Sequence, residues 1–296
     1  MKIGVQLPEV ERPVRWSEVR DIARTVEDSG FDSIWVGDHL LYRDEDGETK
    51  GPWEAWTSLA ALAEITSRVE LAPLVAATSF HNPAMIAKFA STVDEVSGGR
   101  LILGLGAGWN RTEYEAFGFP YDRRVSRFEE AFTIITTLIR EGAIDFAGEH
   151  YTHRGMELKP RARPDMKVLI GSNGPRMLRI ALRRADMWNS WFEWFGNRAD
   201  GIAPLQQGVD EACVEVGRDP GEIERTAAVY VQLGRGGGRE AGDLERGVAT
   251  PITGTPEEIA AELGAFQAAG ISHLQVVLDP IDAAGVTELA GIVALI

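Results

Sequence analysis

Short β-rich apolar runs alternate with longer stretches of helical period eight times along this chain, and that alternation leaves few folds open. Strands that follow one another with a helix between them must run parallel, because the helix carries the chain back over the sheet. Strands are expected at 2–7, 32–37, 69–76, 101–105, 167–171, 187–190, 227–233 and 273–278. Helices are expected near 16–29, 54–66, 83–97, 124–140, 175–185, 203–217, 256–269 and 283–294. Eight βα pairs point to an α/β fold closed into a single (β/α)₈ TIM barrel, not an open doubly wound sheet. A length of 296 residues suits one such domain spanning 1–296.

The punctuation between the runs agrees. Asn82-Pro83 supplies a cap and a proline at the first helical position. Thr255-Pro256-Glu257-Glu258 has the form of a capping box. Gly30, Gly98 and Gly270 stand where a left-handed residue ends a helix. Three segments exceed what a minimal barrel needs: 106–123, a hairpin-like stretch within 142–166, and 191–202. The first and third follow strand C-termini, so they extend the mouth where barrel active sites are built.

Residues able to do chemistry collect at the same strand ends. Asp38-His39 follows the second strand, where an ionisable pair reads as catalytic or ligand-binding, or else as a brace for the loop. The fourth strand runs out through Gly104-Leu105-Gly106-Ala107-Gly108-Trp109-Asn110, whose glycines would let a flat ring or a phosphate approach the backbone. It is not a dinucleotide fingerprint, because no third glycine opens a helix. Gly171-Ser172-Asn173-Gly174-Pro175-Arg176 joins the fifth strand to a helix start, with small residues, free N–H groups and a nearby arginine suited to an anion. Arg123, Arg124 and Arg127 sit at the fourth main helix, against its dipole, and read equally as an anion site or a surface ion-pair network. Tryptophans such as Trp109 and Trp191 lie near the mouth loops and can wall a flat apolar substrate.

Other chemistries find little support. His150 and His153 lack companion ligands, so no metal site is expected and a metal-assisted hydrolase is disfavoured. No Gly-x-Ser-x-Gly elbow is present. The net charge of −15 works against nucleic acid and anionic lipid as partners, which leaves a small-molecule substrate. It also means that an anionic cofactor must be held by local groups. The single cysteine, Cys213, falls in an expected helix as an inert buried thiol and allows no internal disulfide. With no apolar run of spanning length and no leader before strand 2–7, the expected compartment is the cytoplasm.

Taken together, several of these segments resemble the luciferase-like monooxygenase superfamily, barrel oxidoreductases that use FMN or the deazaflavin coenzyme F420. The segments that carry the resemblance are Ser29 to His39, His81-Asn82-Pro83-Ala84, Asp94 to Arg100, Gly106 to Asn110, Ile170 to Pro175 and Gly254 to Glu258. The resemblance implies a cofactor across the barrel mouth, its phosphate at Gly171, Ser172, Asn173, Gly174 and Pro175, with Arg176 beside it. It places the ring against Leu74, Val75 and Ala76, near Gly106, Ala107, Gly108 and Asn110. Asp38 and His39 would stand beside the reacting ring, His39 as proton donor or acceptor and Asp38 bonding the cofactor or orienting His39. A bulge in the third strand is implied as well, with a cis bond within residues 73–76, at Leu74-Val75; the alternative is that Pro73 alone makes the kink and every peptide nearby is trans. Sugar-phosphate dehydrogenases of the superfamily carry a glutamate where this chain has Trp109, which argues against that substrate. The stretch Glu54 to Val69 resembles the F420-dependent branch, so hydride transfer between F420 and a small organic substrate is expected. The alternatives are a reduced-FMN monooxygenase using oxygen and a non-catalytic flavin-binding barrel. A homodimer through the third-helix region is also compatible with the resemblance.

Overall fold

The computed structural model describes residues 1–43, 47–237 and 249–296. β1 (Lys2–Gln6) leads through α1 (Trp16–Asp28) to β2 (Ser33–Val36), and a small hairpin of β3 (Tyr42–Arg43) and β4 (Thr49–Lys50) precedes α2 (Ala55–Ile65). The third barrel strand comes in two pieces, β5 (Glu70–Pro73) and β6 (Ala76–Ala77), followed by α3 (Pro83–Val96). After β7 (Leu103–Gly106) come the short α4 (Arg111–Phe117) and the long α5 (Arg124–Arg140). An antiparallel hairpin of β8 (Ala143–Ala147) and β9 (Thr152–Glu157) then leads to β10 (Val168–Gly171), α6 (Pro175–Ala181) and β11 (Met187–Ser190). The chain finishes with α7 (Ala203–Glu215), β12 (Glu224–Gln232), α8 (Pro256–Ala268), β13 (His273–Asp279) and α9 (Ala283–Val293).

The main sheet is parallel throughout and runs β5-β2-β1-β13-β12-β11-β10-β7-β6. Its two ends, β5 and β6, are the halves of one split strand, and a bridge from Leu71 to Leu101 joins β5 to the residues before β7. The sheet therefore nearly closes on itself, as the eightfold alternation requires. The expected caps are present. Asn82 accepts from the Ala84 N–H, Thr255 and Glu258 form the reciprocal box, and Gly30, Gly98 and Gly270 have positive φ. Cys213 is buried on α7.

Alternate strand positions face two different cores. Ile34, Leu71, Leu103, Val168 and Ile170 meet the surrounding helices, whereas Trp35, Ala72, Leu169 and Met187 pack together inside the barrel. One sector of that interior is polar. Trp35 Nε1 donates to Ser33 Oγ at 2.7 Å, and Ser33 Oγ lies 2.7 Å from His273 Nε2. Asn189 Nδ2 donates to Thr226 Oγ1 at 2.9 Å and to Gln275 Oε1 at 2.6 Å. Burial, with a smaller contribution from the Lys2 charge, drives the His273 imidazole down to about 3, so it is neutral.

Residues 106–123 are not purely a loop. Asn110 caps α4 by accepting from the Thr112 N–H, and Gly118 ends that helix at φ 76°. The hairpin expected within 142–166 is β8–β9, whereas the β3–β4 hairpin is an addition to the expected elements. Among the described residues no helix is long and apolar enough to cross a membrane, and no cluster of His, Cys, Asp or Glu could hold a metal ion.

Candidate active site

A cleft of about 920 Å³ opens at the C-terminal ends of the strands. Asp38, Gly106, Asn110 and Gly174, drawn from the C-terminal ends of three separate strands, all line it, as do His39, Trp109 and Trp191. Leu74, Val75, Ala107, Gly108, Gly171, Ser172 and Asn173 line it too. Ala76 is fully buried in β6 and does not. Pro175 and Arg176 are also absent from its wall. Arg176 instead faces an adjoining basic recess with Arg123 and Arg124, and Arg124 borders both spaces.

The third strand forms the floor. Between β5 and β6 the Leu74–Val75 peptide is cis, and both side chains project at the cleft. Val75 explains the glycines opposite. A Cβ on Gly106 would lie 2.8 Å from Val75 Cγ2, and one on Gly171 would lie 3.0 Å from it. A Cβ on Gly104 would meet the Pro73 carbonyl oxygen at 2.2 Å. These glycines make room for the bulge of their own chain, a packing reason for bare backbone that stands beside the expected approach of a flat ring or phosphate. Gly174 differs. Its Cβ would meet nothing within 4 Å and its φ is −69°, so the backbone does not demand glycine.

Asp38 is buried, and its Oδ2 accepts from the Ala77 N–H at 2.8 Å. Its other oxygen, Oδ1, is buried without a hydrogen-bond partner. Burial pushes this carboxyl up to about 7, against a smaller opposing effect of the Ala77 N–H. No hydrogen bond joins Asp38 to His39 in this structure. The partner that orients His39 is Glu113, whose Oε1 lies 2.9 Å from His39 Nδ1 while its Oε2 accepts from the Leu40 N–H at 2.8 Å. Glu9 Oε1 stands 3.8 Å from His39 Nε2 and also accepts from Tyr42 Oη at 2.8 Å. Burial disfavours the imidazolium, but the Glu113 bond and the charges of Glu9, Glu113 and Asp38 outweigh it and raise the His39 pKa above its ordinary value.

The aromatic wall stands over this pair. The His39 ring centroid is 4.8 Å from that of Tyr42 and 5.5 Å from that of Trp109, which is 40% exposed and so presents a free face. Behind it, three side chains tie down three successive carbonyls. Tyr114 Oη donates to Ala107 O at 2.7 Å, Arg124 to Gly108 O at 2.8 Å and Tyr121 Oη to Trp109 O at 3.2 Å. The Arg124 guanidinium also lies 4.1 Å from the Tyr121 ring centre. Asn110 is fully engaged within the protein, accepting from the Thr112 N–H and donating to Leu41 O. Across the cleft, Asn173 Nδ2 donates to Ser190 Oγ at 3.1 Å, while its Oδ1 is buried and unpartnered.

Arg123 pairs with Glu149, and Arg127 with Asp122, so the cluster at the start of α5 is partly the surface network that was the plainer of its two readings. Glu9, Tyr42 and Glu113 join the site only through the fold. Glu113 stands three residues after Asn110 and has the position of a capping-box glutamate, a signal that marks the helix start and hides the contact with His39.

Comparison with known proteins supplies a context for this geometry. The profile of the luciferase-like monooxygenase family matches residues 1–236. Over 189 residues the chain is 32% identical to the 5,10-methylenetetrahydromethanopterin reductase of Archaeoglobus fulgidus, covering 63% of this chain and 52% of that one. Over 209 residues it is 31% identical to the pyrimidine monooxygenase RutA of Pseudomonas savastanoi pv. phaseolicola, covering 68% and 57%. The matched stretch thus spans little more than half the length of these curated relatives. A solved F420-dependent secondary alcohol dehydrogenase, in complex with an F420–acetone adduct, superposes with a TM-score of 0.82 at 19% identity over 99% of this chain and 98% of that one. At that identity the likeness concerns the fold.

Proposed function

The chain belongs to the luciferase-like monooxygenase family, and from that premise we propose that it is an oxidoreductase that holds the deazaflavin coenzyme F420 in the mouth cleft and transfers hydride between it and a small organic substrate. The observation that carries this reading is the convergence, in one cleft, of a smooth apolar floor at Leu74–Val75 and two buried acceptors, Asp38 Oδ1 and Asn173 Oδ1, with nothing to accept from. A buried acceptor without a donor is costly, and N–H or hydroxyl groups of a bound ring and its side chain would relieve it. A volume of about 920 Å³ is ample for a tricyclic ring with a substrate beside it.

The residues present divide the work. Leu74 and Val75 would back the ring without a competing polar contact. Asp38, close to half protonated at neutral pH, can donate to or accept from a ring heteroatom. Gly171 to Pro175, with Arg124 and Arg176 nearby, would receive the anionic end of the coenzyme, supplying locally the attraction that the net charge of −15 denies. Bound there, the deazaflavin would supply two-electron hydride chemistry. His39 would exchange the accompanying proton, and Trp109 and Trp191 would enclose the substrate. The relatives include both an F420-type fold neighbour and a monooxygenase, so an FMN-dependent monooxygenase is the alternative.

Fluorescence titration of the purified protein with F420 and, separately, FMN tests the proposal. F420 should bind, and Gly174→Glu should weaken it, because the new side chain has room to fold yet sets a negative charge beside the coenzyme's anionic end. Tight FMN binding with no measurable F420 binding would overturn the choice of cofactor in favour of the alternative.

A further inference from the structure

Three side chains from one stretch of chain hold the backbone that carries Trp109. Tyr114 Oη, Arg124 Nη1 and Tyr121 Oη donate in turn to the carbonyls of Ala107, Gly108 and Trp109. The backbone can follow this course only with glycine at 108, where φ is +72° and a Cβ would run into Tyr114 Oη. The Trp109 indole meets His39 and Tyr42 edgewise on one side and is 40% exposed on the other. Its place is therefore set by the ties on its backbone more than by packing.

Of the three ties, Arg124 alone is charged, and its charge is unanswered. Arg111 pairs with Glu115, Arg123 with Glu149 and Arg176 with Glu129. Among the described residues, Arg124 is the one arginine lining the cleft or the basic recess that has no carboxylate partner. One N–H goes to Gly108 O at 2.8 Å, and the guanidinium lies 4.1 Å from the centre of the uncharged Tyr121 ring. A guanidinium carries five N–H donors in a planar fork, so most of them remain for another acceptor. Arg124 is also the first residue of α5, where the helix dipole disfavours a cation. A chain with 45 acidic residues leaves this one arginine uncompensated, at the border between the cleft and a recess of about 510 Å³ shared with Arg123 and Arg176.

We propose that Arg124 is a positioning residue that couples the two spaces: a phosphate or carboxylate in the recess completes the hydrogen bonding of its guanidinium and thereby fixes the Gly108–Trp109 wall against which the substrate lies. This deepens the reading of the cleft as a coenzyme and substrate site and rests on it, the coenzyme's anionic end being the source of the anion. An anion on the far edge of the fork stops the guanidinium turning about its side chain and holds the near N–H on Gly108 O. Tyr121, against the same guanidinium, carries the restraint to the next carbonyl, that of Trp109. The coupling is reciprocal, so a substrate lying on Trp109 tightens the anion by the factor with which the anion tightens the substrate. Arg176 shares the recess and makes no contact with the 107–109 backbone, so it can attract the anion without moving the wall.

The chain has eight tryptophans, few enough to resolve by fluorine nuclear magnetic resonance after labelling with 5-fluorotryptophan, and Trp109→Phe identifies the Trp109 signal by its loss. The protein without coenzyme is titrated with inorganic phosphate, an anion with no ring to touch Trp109 directly, at an ionic strength held constant with chloride. Phosphate should shift the Trp109 signal saturably. Arg124→Met, close in length and uncharged, should move or broaden that signal before any phosphate is added, abolish its response, and weaken phosphate about tenfold or more. Arg176→Met should weaken phosphate only about two- to fivefold, because Arg176 is exposed and already paired, and should leave the starting Trp109 signal in place. A wild-type Trp109 signal that ignores phosphate would overturn the proposal even if Arg124→Met failed to fold. A folded Arg124→Met with the wild-type signal, or with the response intact, would do the same. Because no coenzyme is present, failure of F420 to bind would leave this result standing, and the two readings fall separately.

Discussion

The fit between Val75 and the glycines opposite it can be broken and restored by design. In Gly106→Ala the added methyl would sit 2.8 Å from Val75 Cγ2, closer than carbon atoms approach without movement. Val75 is β-branched and stiff about χ1, and a Cβ added at Gly104 or Gly171 would also come within 3.1 and 3.0 Å of its methyl groups, so close backbone on these sides leaves it little room to swing aside. Overpacking of this kind costs about 1–3 kcal/mol. At about 2.1 cal/mol/K of unfolding entropy per residue, a chain of 296 residues loses roughly 1.6 °C of Tm per kcal/mol, so the variant should melt about 2–5 °C lower. Val75→Ala alone removes two half-buried methyl groups and should cost about 1 kcal/mol. In the double variant the clash is gone, so it should be no less stable than Val75→Ala alone, a coupling of about 1–3 kcal/mol in a double-mutant cycle. Gly174→Ala, which meets nothing, is the control and should fall within about 0.5 kcal/mol of the parent. Urea unfolding of the four proteins of the cycle and of the Gly174→Ala control decides the matter. Additivity of Gly106→Ala and Val75→Ala to within about 0.5 kcal/mol would refute the argument that these glycines exist for Val75.

Other perturbations probe the titrating groups and the chemistry. His273 is neutral when folded, at about 3, so the unfolded chain binds a proton that the native one refuses as pH falls below about 6.5. Its contribution, full above that pH, should shrink by about 1.4 kcal/mol per pH unit toward pH 3, read as wild type minus His273→Gln in urea midpoints at several pH values. Asp38 works in the opposite sense. Its folded value of about 7 exceeds the ordinary 3.8, so native stability falls as pH rises through that window, and Asp38→Asn should gain on wild type across it. The two slopes oppose each other where they overlap, so only differences between variants reveal them, and parallel curves for wild type and variant would contradict either assignment. His39→Asn should lower turnover by about 10²–10⁴ with cofactor affinity preserved, the loss expected for a missing general acid. Near-normal turnover in that variant would reduce Asp38-His39 to a loop brace.

The barrel was legible because its signals are local. Each strand and helix announces itself by a period of 2 or 3.6, and Asn82-Pro83, Thr255 to Glu258 and the glycines at 30, 98 and 270 mark the ends. The location of the cleft followed from topology, since Asp38, Asn110 and Gly174 each stand just after a strand. What the sequence hid is tertiary. Glu113 reaches His39 across 74 positions, and its local setting, an asparagine three residues before a glutamate, marks only a helix start. Glu9 lies in a loop with no motif of its own and gains meaning only from Tyr42, Gln6 and His39. The glycines of β7 were visible, but their reason was not, because Val75 reaches them only once the third strand bulges.

A crystal structure of the protein with F420 tests most directly whether the mouth cleft is the cofactor site. The deazaflavin ring should lie against Leu74 and Val75, with Asp38 and Asn173 within hydrogen-bond distance of it or its side chain. Its phosphate should lie at Gly171 to Pro175 and His39 beside its reacting edge. A coenzyme bound outside this cleft, or a ring seated away from Leu74–Val75 with Asp38 Oδ1 still unpartnered, would contradict the account.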